Sequence, residues 1–213
     1  MRTQSPFAVV TPTLDGRVLD VLAGAEAAFT QGEVSRLLTD ASLEGVRKVL
    51  KRLTAEGIVT VERAGNAHLF RLNREHLAAP AVLHLAGLRS ALLDRTRTAV
   101  SDWRAAPVYG ALFGSAARGT MRTDSDIDVF LVHEDDAETT VWEEQIRELA
   151  DAMSRWTGND TRILDMSTSE VDDAAAAGDG VLHSIAADGL TIVGQPGWLR
   201  SRLREAERRL TPR

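Results

Sequence analysis

Apolar residues in the first third of the chain recur at helical spacing in three successive segments. The first segment runs over 12–22, the second begins after Thr30, and the third begins after Ser42. Thr30 and Glu33 have the spacing of a capping box, in which each side chain bonds the other residue's amide group. Ser42 can accept a hydrogen bond at the start of the third segment. The pattern therefore predicts three short helices in close succession.

The third of these helices is predicted to have one apolar face and one cationic face. Its apolar stripe comprises Leu43, Val46, Leu50 and Leu53. Its opposite face carries Arg47, Lys48, Lys51 and Arg52. Gly57 then ends the helix, and two runs of strand-forming residues, 58–63 and 67–72, are separated by a turn at 64–66. This part of the chain is thus predicted to end in a β-hairpin.

This order of helices followed by a hairpin resembles the winged helix-turn-helix domains of bacterial MarR- and ArsR-type regulators. The resemblance extends over residues 12–73 and is carried above all by the segment 46–59. It implies that the third helix enters the major groove of double-stranded DNA, while the hairpin contacts the backbone or the minor groove. The residues that it assigns to DNA contact are Ser42, Arg47, Lys48, Lys51, Arg52, Arg63 and His68. The alternative is a protein-docking or dimer module with a solvated cationic face, because residues 1–79 contain 10 basic and 9 acidic residues.

Residues 80–106 are predicted to form a helix that connects this domain to the rest of the chain. Leucines recur there at roughly helical intervals among arginines, and Pro80 and Pro107 lie near the two ends, where proline is tolerated. A long apolar stripe of this kind suits a homodimer, which would match a palindromic DNA site. The alternative is that the stripe packs on the chain's own two domains. The sequence leaves both interpretations open.

A buried strand is predicted over 108–113, and a tight turn follows at Gly114 and Ser115. A short helix then begins at Ala116, so the turn presents amide groups at a helix N-terminus, where an anion can bind. Ser115 adds a hydroxyl donor, and the missing Cβ atom of Gly114 lets a phosphate approach the backbone. The segment therefore predicts a phosphate-binding turn.

The next predicted strand, over 126–132, places two carboxylates on one face. Because side chains alternate along a strand, Asp126 and Asp128 point the same way, about 7 Å apart at Cα. Two carboxylates at this spacing repel each other at neutral pH unless a cation lies between them. An all-oxygen site suits Mg²⁺, which also engages substrate phosphates. A divalent-cation site is therefore predicted near the phosphate-binding turn.

The spacing of these residues closely resembles the motif of the nucleotidyltransferase superfamily, which includes polymerase β, kanamycin nucleotidyltransferase and the minimal nucleotidyltransferases. The matching pattern is Gly114-Ser115-x-Ala117-Arg118-Gly119-x5-Ser125-Asp126-x-Asp128. The resemblance implies that Gly114 and Ser115 bind the β- and γ-phosphates of a nucleoside triphosphate, with ATP as the expected donor. It also implies that Asp126 and Asp128, with a third carboxylate on a later strand, are catalytic and hold two divalent metals, Mg²⁺ or Mn²⁺. Arg118 would neutralise the triphosphate, or else form an ion pair with a nearby acid.

The third carboxylate has to lie further along the chain. Apolar spacing predicts a helix over 139–156 that is closed by Gly158, followed by a strand over 161–166. Asp165 on that strand is the predicted third metal ligand and general base, and Asp160 in the preceding turn is the alternative. Asp165 could instead be a surface carboxylate at the end of the strand.

The chain of 213 residues has a net charge of −6, and its acidic residues are concentrated in one block. Residues 108–190 contain 5 basic and 18 acidic residues, which is typical of a separate domain with its own partners. The absence of cysteine excludes disulfides and thiolate metal sites, and it suits a reducing cytoplasm. No apolar run approaches the roughly 18 residues that a membrane-spanning helix needs, so a cytoplasmic location without membrane association is expected.

These patterns predict an α+β protein. Its parts are a winged helix-turn-helix domain at 1–79, a connecting helix at 80–106, a small polymerase β-like α/β nucleotidyltransferase domain with a mixed sheet at 107–194, and a basic C-terminal helix at 195–213. The predicted function is metal-dependent transfer of a nucleoside monophosphate from its triphosphate to a hydroxyl of a protein or small molecule, coupled to DNA binding. The alternative is a DNA-binding transcriptional regulator or antitoxin-like protein whose nucleotidyltransferase fold senses nucleotide without catalysing transfer.

Overall fold

The computed structural model of the protein describes residues 1–210, and the chain divides into two compact units. The smaller unit comprises Ser5–Arg89, and the larger unit comprises Met1–Gln4 together with Ser90–Arg213. The end of the predicted C-terminal helix, residues 211–213, lies outside the described residues. The first four residues thus belong with the larger unit and not, as the sequence suggested, with the N-terminal domain.

The smaller unit contains helices and a small antiparallel sheet. Its elements are a 3-10 helix at Pro6–Val9, α1 at Leu14–Ala23, β1 at Phe29–Thr30, α2 at Gln31–Leu37, α3 at Leu43–Ala55, β2 at Val59–Ala64, β3 at Ala67–Leu72 and α4 at Ala79–Ala86. The strand order in the sheet is β1-β3-β2. The capping box of Thr30 and Glu33 and the Ser42 cap of α3 are both confirmed. The assignment of this unit as a winged helix-turn-helix stays a prediction.

The core of the smaller unit lies among its three main helices. Its most buried side chains include Val18, Leu22, Val34, Val46 and Leu50. Leu43, which was predicted to belong to the apolar stripe of α3, is instead 54% accessible, and Leu37 at the end of α2 is 59% accessible. They are the last residue of α2 and the first residue of α3, so neither has a full helical turn on both sides to bring it against the core.

The predicted connecting helix is two helices. α4 ends at Ala86, Gly87 adopts a non-helical conformation as its C-cap, and α5 begins at Leu88 and runs to Ser101. Glycine interrupts a helix readily because it loses the most conformational freedom when it becomes helical. The segment therefore belongs to both units, and the division between them falls within the first turn of α5.

The larger unit is built around a mixed four-stranded sheet, as predicted. After α5, its elements are β4 at Tyr109–Phe113, α6 at Gly114–Arg118, β5 at Ile127–His133, α7 at Thr139–Thr157, β6 at Thr161–Ser167, α8 at Thr168–Ala176, α9 at Gly180–Asp188, β7 at Leu190–Val193 and α10 at Trp198–Leu210. The strand order is β6-β5-β4-β7. β5 and β6 are parallel, and β4 is antiparallel to both of its neighbours.

The two faces of this sheet are covered by different helices. On one face Leu112, Val129 and Leu131 join a core that includes residues of α5 and α7. On the other face Ala111 and Phe130 join a core that includes residues of α8, α9 and α10. The buried residues of α10 are Leu199, Leu203 and Ala206. The basic C-terminal helix is therefore an integral part of the larger unit, whereas the sequence had placed it outside the nucleotidyltransferase domain.

Within the described residues, no helix combines the length and the apolar character that crossing a membrane requires.

Candidate active site

The two aspartates of the sequence motif lie on the face of the sheet that α8, α9 and α10 cover. Asp126 directly precedes β5, and Asp128 is its second residue, so alternation places both on the side of Phe130. Asp128 is half-buried and pairs in register with Phe113 at the end of β4. The Asp126 side chain is 25% exposed. The structure thus brings the two carboxylates together at one end of β5, with access to solvent.

The turn after β4 contacts Asp128 directly. Gly114 has a φ of +66°, and a Cβ atom at this position would collide with the Asp128 carboxylate. Glycine is therefore required here both for its backbone conformation and for the space that it leaves. Ser115 follows as the second residue of α6 and is half-buried. The predicted phosphate turn and the predicted cation site are therefore adjacent parts of one site.

The electrostatic surroundings of Asp128 disfavour its charge. Burial, and next the negative charge of Asp126, raise the pKa of the Asp128 carboxyl above its ordinary value. The positive charges of Arg162 and Arg118 act in the opposite direction and lower the pKa, but by less. Two carboxylates that repel each other in this way can share one hard divalent cation, which offsets both charges. The pair therefore fits one Mg²⁺ or Mn²⁺ ion.

Arg162 is a site residue that the sequence analysis missed. It is the register partner of Asp128 on the neighbouring strand β6, and its Nη2 atom lies 2.9 Å from Oδ2 of Asp126. Its side chain is 74% exposed, so the guanidinium covers Asp126 from the solvent side. Strand alternation puts Arg162 and Asp165 on opposite faces of β6, but only the register of β6 on β5 decides which of them faces Asp128.

Asp165 does not join the two aspartates. It pairs with Leu131, which belongs to the opposite face of the sheet, and its Oδ2 atom accepts a hydrogen bond of 3.1 Å from Nε1 of Trp142 in α7. The expectation that Asp165 is the third metal ligand and general base is therefore wrong, because the strand register turns its side chain away from the site. Asp160, the alternative, is exposed in the turn before β6, where its carbonyl group accepts a hydrogen bond from the amide of Ile127.

Across residues 1–210, no group of three or more acidic or histidine side chains is placed to hold a metal ion. The nucleotidyltransferase resemblance implies three carboxylates and two metals, whereas among the described residues the structure groups two carboxylates, Asp126 and Asp128, beside the turn at Gly114. The residues therefore fit one divalent cation and do not fit two.

Arg118 lies at the end of α6, next to an acidic side chain and within electrostatic reach of Asp128. Its Nη1 atom is 3.8 Å from Oδ2 of Asp188, and both side chains are close to half exposed. Its charge also reaches Asp128, where it lowers the carboxyl pKa. An ion pair this long and exposed is weak, so Arg118 is available to bind an anion.

The loop that leads into Asp126 is anchored by buried and N-terminal residues. The Nδ2 atom of Asn159, which is 6% exposed, donates a hydrogen bond of 2.8 Å to the carbonyl group of Ser125. Nε2 of Gln4 donates to the carbonyl group of Met121 at 2.7 Å. The hydroxyl of Thr3 lies 3.3 Å from the carbonyl oxygen of Ala116. None of these anchors was predicted from the sequence, because each links segments that are far apart in the chain.

Several of the cations predicted to contact DNA are engaged within the smaller unit. Arg47 donates two hydrogen bonds of 2.7 Å to Glu44, and Arg52 forms an ion pair with Asp15. The Nε atom of Arg63 donates to the carbonyl group of Gly65 at 3.0 Å.

The remaining predicted DNA contacts differ in their availability. Lys48 and Lys51 are exposed on α3 and have no ion-pair partner among the described residues. His68 is exposed on the hairpin in register with Arg63. The hydroxyl of Ser42 accepts the hydrogen bond that caps α3, at 3.1 Å from the amide of Gly45. Among the described residues, Lys48, Lys51 and His68 are thus the predicted DNA contacts that are exposed and form no salt bridge, although the charge of Lys48 acts on Glu44.

Residues 93–164 match the nucleotidyltransferase domain family. This segment contains the Gly-Ser turn, both aspartates of the site and Arg162, and the larger unit therefore contains a nucleotidyltransferase domain. No curated protein matches the sequence at a significant level.

The chain is also similar in structure to several solved proteins. A toxin-antitoxin crystal structure with AMP-PNP has 18% sequence identity and a TM-score of 0.40, over 55% of this chain and 86% of that chain. The structure of the tri-AMPylated Shewanella oneidensis HEPN toxin in complex with MNT antitoxin has 17% sequence identity and a TM-score of 0.35, over 57% of this chain and 93% of that chain. TrmBL2, an archaeal chromatin protein with a novel mode of DNA binding, has 13% sequence identity and a TM-score of 0.27, over 81% of this chain and 70% of that chain.

Proposed function

We propose that the larger unit transfers a nucleoside monophosphate from a nucleoside triphosphate, with ATP as the expected donor, to a hydroxyl group of a protein. The observation that carries this proposal is the close approach of Gly114 to Asp128 within the segment that matches the nucleotidyltransferase domain family. It joins a turn suited to phosphate and a carboxylate pair suited to one divalent cation. Nucleotidyl transfer needs these two elements side by side.

The reaction forms one bond and breaks one. The acceptor oxygen attacks the α-phosphorus of the triphosphate, and the bond between that phosphorus and the oxygen bridging to the β-phosphate breaks. Pyrophosphate leaves with the electron pair of that bond, and the acceptor's proton passes to solvent. The products are a nucleotidylated hydroxyl and pyrophosphate.

The residues of the site have separate tasks in this scheme. Gly114 leaves room for the phosphates, Ser115 supplies a hydroxyl donor, and Arg118 stabilises negative charge that develops during transfer. Asp126 and Asp128 hold one Mg²⁺ or Mn²⁺ ion, which when bound orients the phosphates and stabilises the charge of the leaving pyrophosphate. The ion's charge would favour the ionised form of Asp128, which burial and Asp126 disfavour.

The exposure of the site supports a protein acceptor over a small molecule. The guanidinium of Arg162 beside Asp126 is 74% exposed, and the side chain of Arg118 is 44% exposed. Pockets for small molecules usually bury most of the ligand's surface. A hydroxyl on a protein surface can reach so open a site without being enclosed.

Transfer of label from two forms of ATP tests this proposal. The wild-type protein is incubated with Mg²⁺, a cell lysate and ATP labelled at the α-phosphate, and in parallel with ATP labelled at the γ-phosphate. We expect the wild type to give more protein-bound α-label than Asp126→Asn/Asp128→Asn, and the γ-label, which the protein kinases of the lysate transfer, to be equal for the two proteins. Arg147→Ala, on the exposed side of α7, serves as the matched control and should transfer label like the wild type. Transfer no greater than in the double variant would refute the proposal, and label found only in small molecules would refute the protein acceptor.

We also propose that the smaller unit binds double-stranded DNA as a winged helix-turn-helix, with α3 in the major groove. The exposed Lys48 and Lys51 on α3 support this proposal, because neither forms a salt bridge among the described residues and exposed cations of this kind can bind phosphates. The alternative to transfer, a regulator that only senses nucleotide, would bind DNA and nucleotide without transferring label.

Binding to a library of DNA duplexes at two salt concentrations tests this second proposal. Affinity should fall as salt rises, and Lys48→Ala/Lys51→Ala should reduce both the affinity and the salt dependence. Arg71→Ala, at a cation that is paired with Glu62 on the hairpin, should have a smaller effect. Binding that is independent of salt and of both lysines would contradict the proposal.

A further inference from the structure

On the face of the sheet that carries Asp126 and Asp128, the neighbouring residue on β6 is a cation, Arg162. Asp128 and Arg162 are register partners on the parallel strands β5 and β6, so their side chains share one face. The next residues of β6 on this face are Leu164 and Met166, which pack into the core under α8 and α10. Arg162 is therefore the β6 residue that stands beside the two aspartates.

A second divalent cation would need a carboxylate at this place. Hard cations such as Mg²⁺ take oxygen ligands, and a guanidinium has five donors and no acceptor. It also keeps its proton at any pH that the protein withstands, so it can neither coordinate a metal nor act as a base. Asp165, three residues further along β6, faces Trp142 on the other side of the sheet, and Asp160, two residues before Arg162, precedes the strand.

The geometry points to Arg162 as the replacement for a second metal ion. We propose that the site binds one divalent cation per nucleotide, and that the guanidinium of Arg162 binds a phosphate group of the nucleotide and supplies the positive charge that a second cation would otherwise provide. This inference rests on the proposed function, because it assumes that the donor triphosphate binds beside Asp126 and Asp128.

The ion pair between Arg162 and Asp126 is suited to such an exchange. Its N–O distance is 2.9 Å, but the arginine is 74% exposed, and ion pairs open to water are weak. A cation that binds Asp126 competes with the guanidinium for the same carboxylate oxygen. The guanidinium released from Asp126 is planar and can donate two parallel hydrogen bonds to two oxygens of one phosphate group.

Counting bound manganese tests the inference without relying on activity. Protein saturated with a non-hydrolysable ATP analogue is titrated with Mn²⁺, and bound ions are counted by electron paramagnetic resonance. We expect one Mn²⁺ per bound nucleotide for the wild type. Arg162→Asp restores a carboxylate at this place, and we expect two. Arg147→Asp, at an exposed arginine on α7, should remain at one.

Three outcomes are decisive. Two Mn²⁺ ions per nucleotide in the wild type would overturn the inference, and so would a count of one in the Arg162→Asp variant. No nucleotide-dependent Mn²⁺ binding in any variant would instead overturn the proposed function. Because Arg162 is largely exposed, these variants should keep the wild-type melting temperature, and the titration is made on protein that does.

Nucleotide affinity gives a second measurement. At saturating Mg²⁺, Arg162→Ala should weaken binding of the same analogue about tenfold, as expected for the loss of one charge-assisted contact to phosphate. Arg162→Lys keeps the charge but loses the planar pair of donors, so it should recover only part of the affinity. Equal affinity in the wild type and the alanine variant would refute the phosphate contact.

Discussion

The backbone of Gly114 lies so close to the carboxylate of Asp128 that a Cβ atom at Gly114 would collide with it. The two residues lie at adjoining ends of the antiparallel strands β4 and β5, where Phe113 pairs with Asp128. The antiparallel pairing therefore sets the separation between the turn that would bind phosphate and the carboxylate that would bind a cation. A change at Gly114 should consequently affect both.

Gly114→Ala should destabilise the protein and abolish nucleotide binding. The positive φ costs about 1 kcal/mol for a residue with a Cβ atom, and the collision adds about 1–3 kcal/mol. Unfolding in urea checks the free energy, and titration with an ATP analogue checks binding.

Gly178→Ala is the matched control for this substitution. Gly178 also has a positive φ, of +73°, but a Cβ atom there would meet nothing within 4 Å. The free energy of unfolding of Gly178→Ala should fall by about 1 kcal/mol, the cost of a positive φ alone, and the variant should still bind nucleotide. Equal losses of stability in the two variants would show that the contact with Asp128 has no effect.

Asp128→Asn should stabilise the protein at neutral pH in the absence of metal. The pKa of Asp128 is raised by burial and by Asp126, so between the ordinary and the raised pKa the folded state binds a proton that the unfolded state has lost. The penalty for ionising Asp128 is absent below the ordinary carboxyl pKa and grows as pH rises through the raised value. The difference between variant and wild type in urea unfolding should therefore shrink as pH falls below about 4.

Asp135→Asn should change the free energy of unfolding in the opposite direction to Asp128→Asn. Hydrogen bonds led by the one from the amide of Ser169 lower the pKa of Asp135 to about 2. Its carboxylate therefore stabilises the fold above the unfolded pKa, and this contribution is lost as pH falls toward 2. The substitution should destabilise at neutral pH, and its effect should fade in acid. A change of stability of the same sign at neutral pH in Asp128→Asn and Asp135→Asn would contradict the assignment.

Asn159→Ala should weaken cation binding indirectly, because Asn159 positions the loop before Asp126 and is not itself a cation ligand. It removes the donor to the carbonyl group of Ser125, the residue before Asp126, and leaves that acceptor without its buried partner. The loss of stability should be about 1–3 kcal/mol. Mn²⁺ affinity, measured by titration, should fall together with it. Unchanged Mn²⁺ affinity would show that the anchor does not position Asp126.

Asp165→Asn should leave Mn²⁺ binding within about twofold of the wild type, a change too small to represent the loss of a ligand. The amide oxygen can still accept the hydrogen bond from Trp142, so the fold should be preserved. Asp126→Asn, compared in the same titration, should abolish tight binding. Loss of Mn²⁺ binding in both variants would restore Asp165 as a ligand.

Local patterns predicted most of the secondary structure and half of the site. The stripe on α7, the caps at Thr30 and Ser42, and the strand that carries Asp128 depend on nearby residues, and they could be predicted from spacing. The adjacency of Gly114 and Asp128 was likewise implied by one continuous motif.

The identity of the β6 residue beside Asp126 and Asp128 could not be predicted from the spacing of residues along the chain. Whether Arg162 or Asp165 faces Asp128 is decided by the register of β6 on β5, and a shift of one residue exchanges the two. That register is set by packing on both faces of the sheet, with Ile163 in one core and Leu164 in the other. The break at Gly87 was missed for a similar reason, since the leucine pattern of one helix continues across it into the next.

β6 is also one of the two edge strands of the four-stranded sheet. The free edge of such a strand is a template on which a second chain can add by backbone hydrogen bonds. Arg162 and Asp165 place opposite charges on the two faces of this edge, and both side chains are exposed. The pair should therefore hinder edge-to-edge association, so Arg162 would help to keep the protein from aggregating as well as bind the donor's phosphate.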